Sequence, residues 1–225
     1  RIKLGGRVEQ SVNEKGIKRR SWVDTTDILA VPYDTPIPGY QNGTVNTLRL
    51  WKATATEEFN LEEFNAGDYA ESVAAKNTAE NISMVLYPND TNENGKSLRL
   101  QQQYLLASAS LQDIVANWVG RHGNDFTHFA EKNCFQLNDT HPSVAVAELM
   151  RILMDTHGLK WVDAWKITRQ TMAYTNHTLL PEALEKWSVS LFERLLPRIM
   201  EIIYEINAHF LAEVSSHWPG DNERL

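Results

Sequence analysis

The sequence predicts a mixed α/β protein in which a β-rich first third is followed by strand-helix units. Residues 1–55 hold short apolar runs separated by Asn-, Gly- and Pro-rich turns, which is typical of strands. In residues 56–225 the apolar positions recur mainly at helical spacing, with one short apolar run typical of a central buried strand. The 225 residues are 42% hydrophobic and 23% charged, the composition of a folded globular chain.

Four strands are expected in the first third. They cover Arg7–Glu9, Ser21–Val23, Asp27–Val31 and Thr44–Trp51. Hairpin turns are predicted at Asn13–Gly16 and Gln41–Gly43, because Asn and Gly tolerate the positive φ of such turns. Three prolines between positions 32 and 38 remove backbone donors, so we expect residues 32–39 to form an extended loop.

Helices dominate the rest of the chain. Apolar spacing predicts helices over Leu98–Trp118, Asp163–Ala173 and Pro181–His217. The last should divide near Leu196, because Pro197 fits a first helical turn and not a helix interior. Asp68 is expected to cap a helix that runs to about Ile82, and Asn60 to cap a short turn that contains Leu61 and Phe64.

Charge and cysteine content exclude several classes of protein. The net charge is -7 and no block of basic residues occurs, which argues against a nucleic-acid partner. No stretch approaches the roughly 20 apolar residues of a membrane span. Cys134 is the sole cysteine, and no Cys/His spacing suggests a metal site, so we expect a cytoplasmic protein without metal. The sequence begins at Arg1 within a strand-like pattern, so we also expect it to be an internal segment of a longer protein.

Four polar clusters could bind a ligand. They are Val85–Asp90 with Arg99 after it, Asn138–Pro142 at the end of the buried strand Cys134–Leu137, Ala173–Thr178, and Pro181–Glu185. Each also has a plain structural interpretation: a turn, an N-cap by Asp139 or Thr140, or a solvated helix start where Glu182 and Glu185 lie one turn apart. Alternatively, polar strand ends that meet at a cleft would form a carbohydrate pocket. Spacing alone leaves both interpretations open.

Longer strings of residues resemble a known family. They are Pro32–Tyr40, Leu48–Trp51, Val85–Asp90, Leu137–Pro142, Ala173–Thr178, Leu180–Glu185 and Trp218–Asp221. In order and spacing these strings resemble the signatures of the α-glucan phosphorylases, the glycogen, starch and maltodextrin phosphorylases. The resemblance covers nearly the whole chain, and several long strings together are far more specific than any one motif.

The resemblance implies a glycosyltransferase whose two Rossmann-like lobes, of the GT-B type, face a deep cleft. Such enzymes use inorganic phosphate to release glucose 1-phosphate from the non-reducing end of α-1,4-glucans. Their pyridoxal phosphate sits on a lysine of the C-terminal lobe. Residues 1–225 resemble a part of the N-terminal lobe, so the cofactor lysine would lie outside them and this fragment alone should be inactive. The resemblance also implies a homodimeric parent with the helix near residues 68–82 at the interface.

Site roles follow from the resemblance, residue by residue, and no catalytic residue falls in this fragment. His177 would contact the hydroxymethyl end of the bound glucose. The pocket beside the anomeric carbon would be lined by Asp139, His141, Thr178 and Glu185. A mobile gate loop would include Asn89 and Asp90, and the acceptor channel would include Tyr87 and Arg99.

Two features depart from the family pattern. The gate loop reads Asn89-Asp-Thr-Asn92, without the aromatic residue that follows Asn-Asp-Asn in well-known members. Ala116 and Asn117 stand where regulated animal members carry two arginines for an allosteric phosphate, so AMP activation is not expected.

Two other functions remain possible from the sequence. A GT-B relative such as a glycogen synthase would share the architecture but lacks this set of strings. A non-catalytic glucan-binding module is favoured by seven Trp residues that could stack on sugars, although Trp165 and Trp187 lie within helical patterns and are expected in the core. A downstream lobe that carries the cofactor lysine would distinguish the phosphorylase from the binding module.

Overall fold

The β-rich first third forms two antiparallel sheets. The computed structural model describes residues 1–12, 18–56, 62, 65–70, 73–181 and 184–224. The first strands are β1 (Ile2–Leu4), β2 (Arg7–Val12), β3 (Lys18–Val23), β4 (Thr26–Pro38) and β5 (Val45–Ala55). One sheet has the order β1-β4-β5, and the other pairs β2 with β3. All four predicted strands are confirmed, while the predicted turn Asn13–Gly16 lies outside the described residues. The second turn joins β4 to β5, with positive φ at Gln41 and Gly43.

The predicted loop over residues 32–39 is wrong for most of its length, because β4 continues to Pro38 and pairs with β5 throughout. Backbone N–H groups alternate in direction along a strand. Ala53, which lies opposite Ala30, donates its N–H to Ser83 Oγ at 2.9 Å, away from β4. The prolines at positions 32, 36 and 38 have the same parity as Ala30. Their missing donors therefore fall on the side of β4 that faces away from β5, where this ladder needs none.

The remaining elements of the described chain are helices and one pair of parallel strands, β6 and β7. Their bounds are α1 (Ala74–Met84), α2 (Glu93–His122), α3 (Phe129–Lys132), β6 (Phe135–Asn138), α4 (Ala145–Arg151), α5 (Trp161–Thr171), β7 (Met172–Thr175), α6 (Val189–Leu195) and α7 (Pro197–His217). A π-helical turn, Ile152–Thr156, extends α4, and a 3₁₀ turn, Asn222–Arg224, follows α7. No helix among the described residues combines the length and apolar character needed to cross a lipid bilayer.

Helix α2 confirms the predicted Leu98–Trp118 helix and extends it at both ends. Asn92 caps the first turn by accepting a hydrogen bond from the Gly95 amide at 2.8 Å. At the other end the chain leaves the helix at Gly123, whose φ is 65°. The buried face of α2 runs through most of its length, so this helix is the central element of the core.

The helix before α2 starts later than predicted. Asp68 does not cap it, because α1 begins at Ala74 and has no side-chain cap at Val73. Burial of Ala79 and Ile82 against β5 fixes its position instead. The predicted cap Asn60 and its turn, with Leu61 and Phe64, lie outside the described residues.

Two later helix boundaries also differ from the prediction. Helix α5 stops at Thr171 and not Ala173, because residues 172–175 pair with β6. Residues 184–188 are irregular, and α6 begins only at Val189, where Ser188 accepts a hydrogen bond from the Leu191 amide at 3.3 Å. The predicted division at Leu196 is confirmed, with Pro197 in the first turn of α7.

A buried carboxylate on α4, paired with an arginine of the same helix, joins α4 to α2 through two hydroxyl groups. Both oxygens of the fully buried Glu148 accept hydrogen bonds from Arg151, at 2.7 Å each. Tyr104 Oη donates to the same carboxylate at 2.9 Å and Ser108 Oγ at 2.5 Å, so four donors from two helices meet on it. Burial, together with the negative charge of Glu148, raises the pKa of the Tyr104 phenol well above its usual range. The phenol therefore remains a hydrogen-bond donor at every physiological pH.

We expect Glu148→Ala to destabilise the fold by about 3–5 kcal/mol, because the buried Arg151 guanidinium would lose its counter-charge. The measurement is the free energy of unfolding from urea denaturation. Glu9→Ala is the matched control, since Glu9 pairs with Arg7 at an exposed position and such pairs contribute about 0–1 kcal/mol. Equal losses in the two variants would contradict the importance of the buried pair.

Candidate functional site

The carboxyl ends of β6 and β7 bring two of the predicted polar clusters together. The strands are parallel, with Asn138 opposite Thr175, and the Asp139 amide donates to the Thr175 carbonyl at 2.8 Å. Parallel strands end at the same edge of a sheet, so the residues that follow each strand become neighbours. The expectation of a strand with polar residues at its end is confirmed, with the strand at Phe135–Asn138 instead of Cys134–Leu137. The expected burial of that strand is wrong, because Leu137 is its one buried residue and Cys134 is exposed.

His177 lies at this edge and contacts Asn138. Its imidazole Nε2 is 2.5 Å from Asn138 Oδ1, and the ring is exposed. The loop that carries it is ordered by short local bonds: Asn176 Oδ1 accepts from the Thr178 amide at 3.1 Å, and Asn176 Nδ2 donates to the Thr178 carbonyl at 2.7 Å. Thr178 Oγ1 accepts in turn from the Leu180 amide at 3.1 Å. His177 and Thr178 are thus held next to the end of β6.

Asp139 adopts a left-handed conformation, with a φ of 67°. Its Oδ1 accepts from the Thr140 amide at 2.7 Å. The prediction that Asp139 or Thr140 caps the following helix is wrong, because α4 begins at Ala145 without a side-chain cap. Thr140 Oγ1 is buried and, within the described part of the chain, has no hydrogen-bond partner. Aspartate tolerates the left-handed region, as in many turns, whereas a buried hydroxyl without a partner requires a particular explanation, of which a bound ligand or water is one.

Arg99 links the other two clusters. Its Nε donates to Glu185 Oε1 at 2.6 Å, and its guanidinium lies 3.6 Å from Asp90. Gln103, one turn further along α2, donates to both oxygens of Glu185 at 2.9 and 3.0 Å. The Arg99 guanidinium also lies over the Tyr87 ring, 5.8 Å from its centroid. The gate-loop candidate and the segment before α6 are therefore both anchored on α2.

The predicted setting of Glu185, a solvated helix start, is wrong. Glu185 lies in the irregular segment before α6, where Arg99 and Gln103 bind its carboxylate, and its side chain is 14% exposed. Glu182 lies outside the described residues. A partly buried carboxylate that accepts three hydrogen bonds from two side chains is an anchor for its segment and not a solvated helix start.

Tyr87 and His141 connect the two halves of the site. Their rings meet edge to face, with 6.5 Å between centroids, and Tyr87 has a φ of 54°. Asn89 Oδ1 accepts from the Thr91 amide at 3.0 Å, so the turn interpretation of this residue is also correct. Asn89 and Asp90 are exposed, as a loop that contacts a ligand requires.

A cavity of about 600 Å³ lies between α2 and β6. Of the predicted site residues, Tyr87, Arg99 and His141 line it, together with Asn138 and Gln103. The other predicted residues are not among those that line it; they are Asn89, Asp90, Asp139, His177, Thr178 and Glu185. The candidate site therefore has two parts, a cavity under Tyr87 and an exposed strand edge at His177.

Sequence reasoning missed two of the residues that organise this site. Gln103 lies four residues after Arg99, so helical periodicity could have placed both side chains on one face of α2. Asn138 belonged to a recognised string but received no role. Ala116 and Asn117, the two positions at which regulated relatives were expected to carry arginines, are exposed on α2 and lie away from these contacts.

The arrangement suits a polyhydroxylated ligand. Amide, imidazole, hydroxyl and carboxylate groups project from rigid strand ends and from one helix, and an aromatic ring stands beside them. Sugars require many fixed donors and acceptors together with apolar contact surface. The strand ends and α2 thus bring the four clusters next to one another, which is the arrangement that the carbohydrate-pocket interpretation requires.

Comparison with known proteins agrees with this interpretation. The family model described as carbohydrate phosphorylase matches residues 1–225. The chain is 53% identical to the brain form of glycogen phosphorylase from Homo sapiens and to the muscle form from Ovis aries, over 98% of its length. It is 54% identical to the brain form from Mus musculus over 91% of its length. The chain spans about a quarter of the length of these relatives, 26% for the human protein. A family match over every residue and identity at this level show that the chain belongs to the carbohydrate phosphorylase family.

Proposed function

We propose that the protein to which this chain belongs is an α-glucan phosphorylase. It would use inorganic phosphate to release glucose 1-phosphate from the non-reducing end of α-1,4-glucans. The observation that carries this proposal is the 53% identity to glycogen phosphorylases over 98% of the chain. The family match argues against the glycogen synthase alternative. In this proposal the chain is part of the N-terminal Rossmann-like lobe of a GT-B enzyme and faces the cleft with its β6–β7 edge.

The chain's own residues would bind and orient the sugar. His177 contacts the hydroxymethyl end of the glucose, and the pocket beside the anomeric carbon is lined by Asp139, His141, Thr178 and Glu185. Asn89 and Asp90 belong to the gate loop, and Tyr87 and Arg99 to the acceptor channel. The contacts of Arg99 with Asp90 and Glu185 support this assignment, because they connect the gate loop to the pocket wall through one side chain.

Pyridoxal phosphate would be bound elsewhere in the parent protein. The cofactor forms its linkage to a lysine, and the residues that line the described cavity include no lysine. The cofactor's phosphate would assist the inorganic phosphate when bound, while the residues of this chain would hold the glucan. Such an enzyme acts in the cytoplasm, which fits a chain with a single cysteine. Because Ala116 and Asn117 carry no charge for a nucleotide phosphate, we also propose that AMP does not activate it.

The full-length parent should release glucose 1-phosphate from glycogen only when inorganic phosphate is present. The isolated 225-residue chain should release none and show no pyridoxal absorbance, because the lysine belongs to the missing part. Both proteins can be assayed side by side for glucose 1-phosphate. A parent that binds glycogen but releases no sugar phosphate would instead support the glucan-binding module.

In the full-length parent, His177→Ala should lower kcat/KM roughly a hundredfold, because a hydrogen bond to the sugar that strengthens in the transition state is lost. Folding should be unaffected, since the ring is exposed. His128→Ala is the matched control, because His128 is equally exposed and pairs with Glu131 away from the site. Unchanged kinetics in the His177 variant would refute the sugar contact.

The parent should be a homodimer with α1 at the interface. The exposed face of α1 includes Asn77 and Asn81, and new charges there should weaken association. We expect light scattering to give a dimer mass for the parent and a lower mass for the Asn77→Arg, Asn81→Arg double variant. Asn207→Arg, at an exposed position of α7, should leave the mass unchanged. A monomeric parent would contradict the proposal.

A further inference from the structure

We propose that Asn138 is a positioning residue for His177: its side-chain oxygen holds the imidazole so that Nδ1 is presented to the hydroxymethyl group of the bound glucose. The inference rests on the proposed function, because it assigns a second residue to the same sugar contact. The starting observation is the contact between Asn138 and His177, because none of the site roles given above explains it. Asn138 would act on the substrate through His177 and not touch it.

The backbone fixes both partners of this contact. Asn138 is the last residue of β6 and lies opposite Thr175, two residues before His177. Two hydrogen bonds from the β6 segment hold Thr175 in place. Its carbonyl accepts from the Asp139 amide at 2.8 Å, and its Oγ1 accepts from Gln136 Nε2 at 2.7 Å. The start of the His177 loop therefore cannot shift relative to Asn138 without breaking the parallel pairing. A contact between two anchored elements can orient a ring at little entropic cost.

The chemistry of the pair determines the tautomer. Asn138 Oδ1 can only accept, so Nε2 of His177 must carry the hydrogen and donate it across the 2.5 Å contact. In the neutral ring the lone pair then lies on Nδ1, which can accept a hydrogen bond from a sugar hydroxyl. Within the described part of the chain, Asn138 is the side-chain partner of His177, and the structure gives Nδ1 no other bond.

An amide partner has a consequence that a carboxylate partner would not have. His128 in the same chain is bonded to the Glu131 carboxylate, which raises the pKa of His128 through the hydrogen bond and the negative charge. An asparagine carries no charge, so it orients the ring without placing a negative charge beside it. The neutral partner thus suits a histidine that must accept from an uncharged hydroxyl.

The test uses the full-length parent in the synthetic direction, with glucose 1-phosphate and with 6-deoxyglucose 1-phosphate as alternative donors. Asn138→Ala should lower kcat/KM for glucose 1-phosphate roughly tenfold, the worth of one well-oriented hydrogen bond. With the 6-deoxy donor, which lacks the hydroxyl that His177 would bind, the same variant should match the wild type within about twofold. Adding Asn138→Ala to His177→Ala should cause no further loss.

Two variants separate positioning from folding. Asn124→Ala is the matched control, since Asn124 makes the same kind of side-chain contact, to His157 Nδ1 at 2.8 Å, and is not among the residues that line the cavity or form the β6–β7 edge; its kinetics should equal those of the wild type. Asn138→Asp keeps an oxygen acceptor of the same size but places a negative charge beside the ring, which favours the imidazolium that cannot accept from a hydroxyl. Its kcat/KM for glucose 1-phosphate relative to the wild type should therefore rise with pH, a dependence that a folding defect would not produce, so this variant decides the question even if the alanine variant folds poorly.

The outcomes distinguish this inference from the proposed function. Equal losses with both donors, or a full additional loss in the His177→Ala background, would mean that Asn138 acts only on the fold and would overturn the inference. A normal Asn138→Ala enzyme beside a crippled His177→Ala enzyme would overturn it while leaving the sugar contact of His177 intact. If His177→Ala itself is normal, the assignment of His177 in the proposed function fails.

Discussion

Helices α2 and α4 are held together at a carboxylate that water does not reach. Glu148 receives four hydrogen bonds, two from Arg151 on its own helix and two from the hydroxyls of Tyr104 and Ser108 on α2. The neighbouring positions Gln103 and Ala107 of α2 line the cavity, as does Ala145 at the start of α4. The α2 wall of the cavity and the start of α4 are thus held together by the hydrogen bonds to Glu148, and a buried network of this kind tolerates very little relative movement of its donors.

The site built on this frame includes two of the four described residues other than glycine that have a positive φ. Tyr87 and Asp139 both have positive φ values, although neither is glycine. Each is supported by a neighbour: the Arg99 guanidinium lies over the Tyr87 ring, and the Asp139 amide is bound to the β7 carbonyl of Thr175. Strain of this kind persists only where surrounding contacts over-determine it. The two strained residues flank the strand end and the cavity, where side chains must point in directions that a relaxed turn would not give.

The sequence alone was sufficient where a local pattern controls the structure. The strands of the first third, the long helix α2 and the break before Pro197 follow from periodicity and from the backbone limits of proline. It failed where distant residues decide. Whether a proline can sit in a strand depends on which side the partner strand lies, and whether Glu185 is solvated depends on Arg99, which is far away in the chain. The resemblance suggested candidate site residues, but only the three-dimensional structure could connect Asn138 to His177.

The ribbon of β4 and β5 extends beyond β1 and carries exposed apolar side chains, among them Tyr33, Ile37 and Leu50. A long, unpaired and apolar edge of this kind would ordinarily recruit strands from other molecules and lead to aggregation. The free edge of β4 offers no donor at three of its positions, because prolines occupy them. An incoming strand would find its carbonyls unmatched there. The prolines therefore protect the chain against edge-to-edge self-association while they leave the pairing with β5 intact.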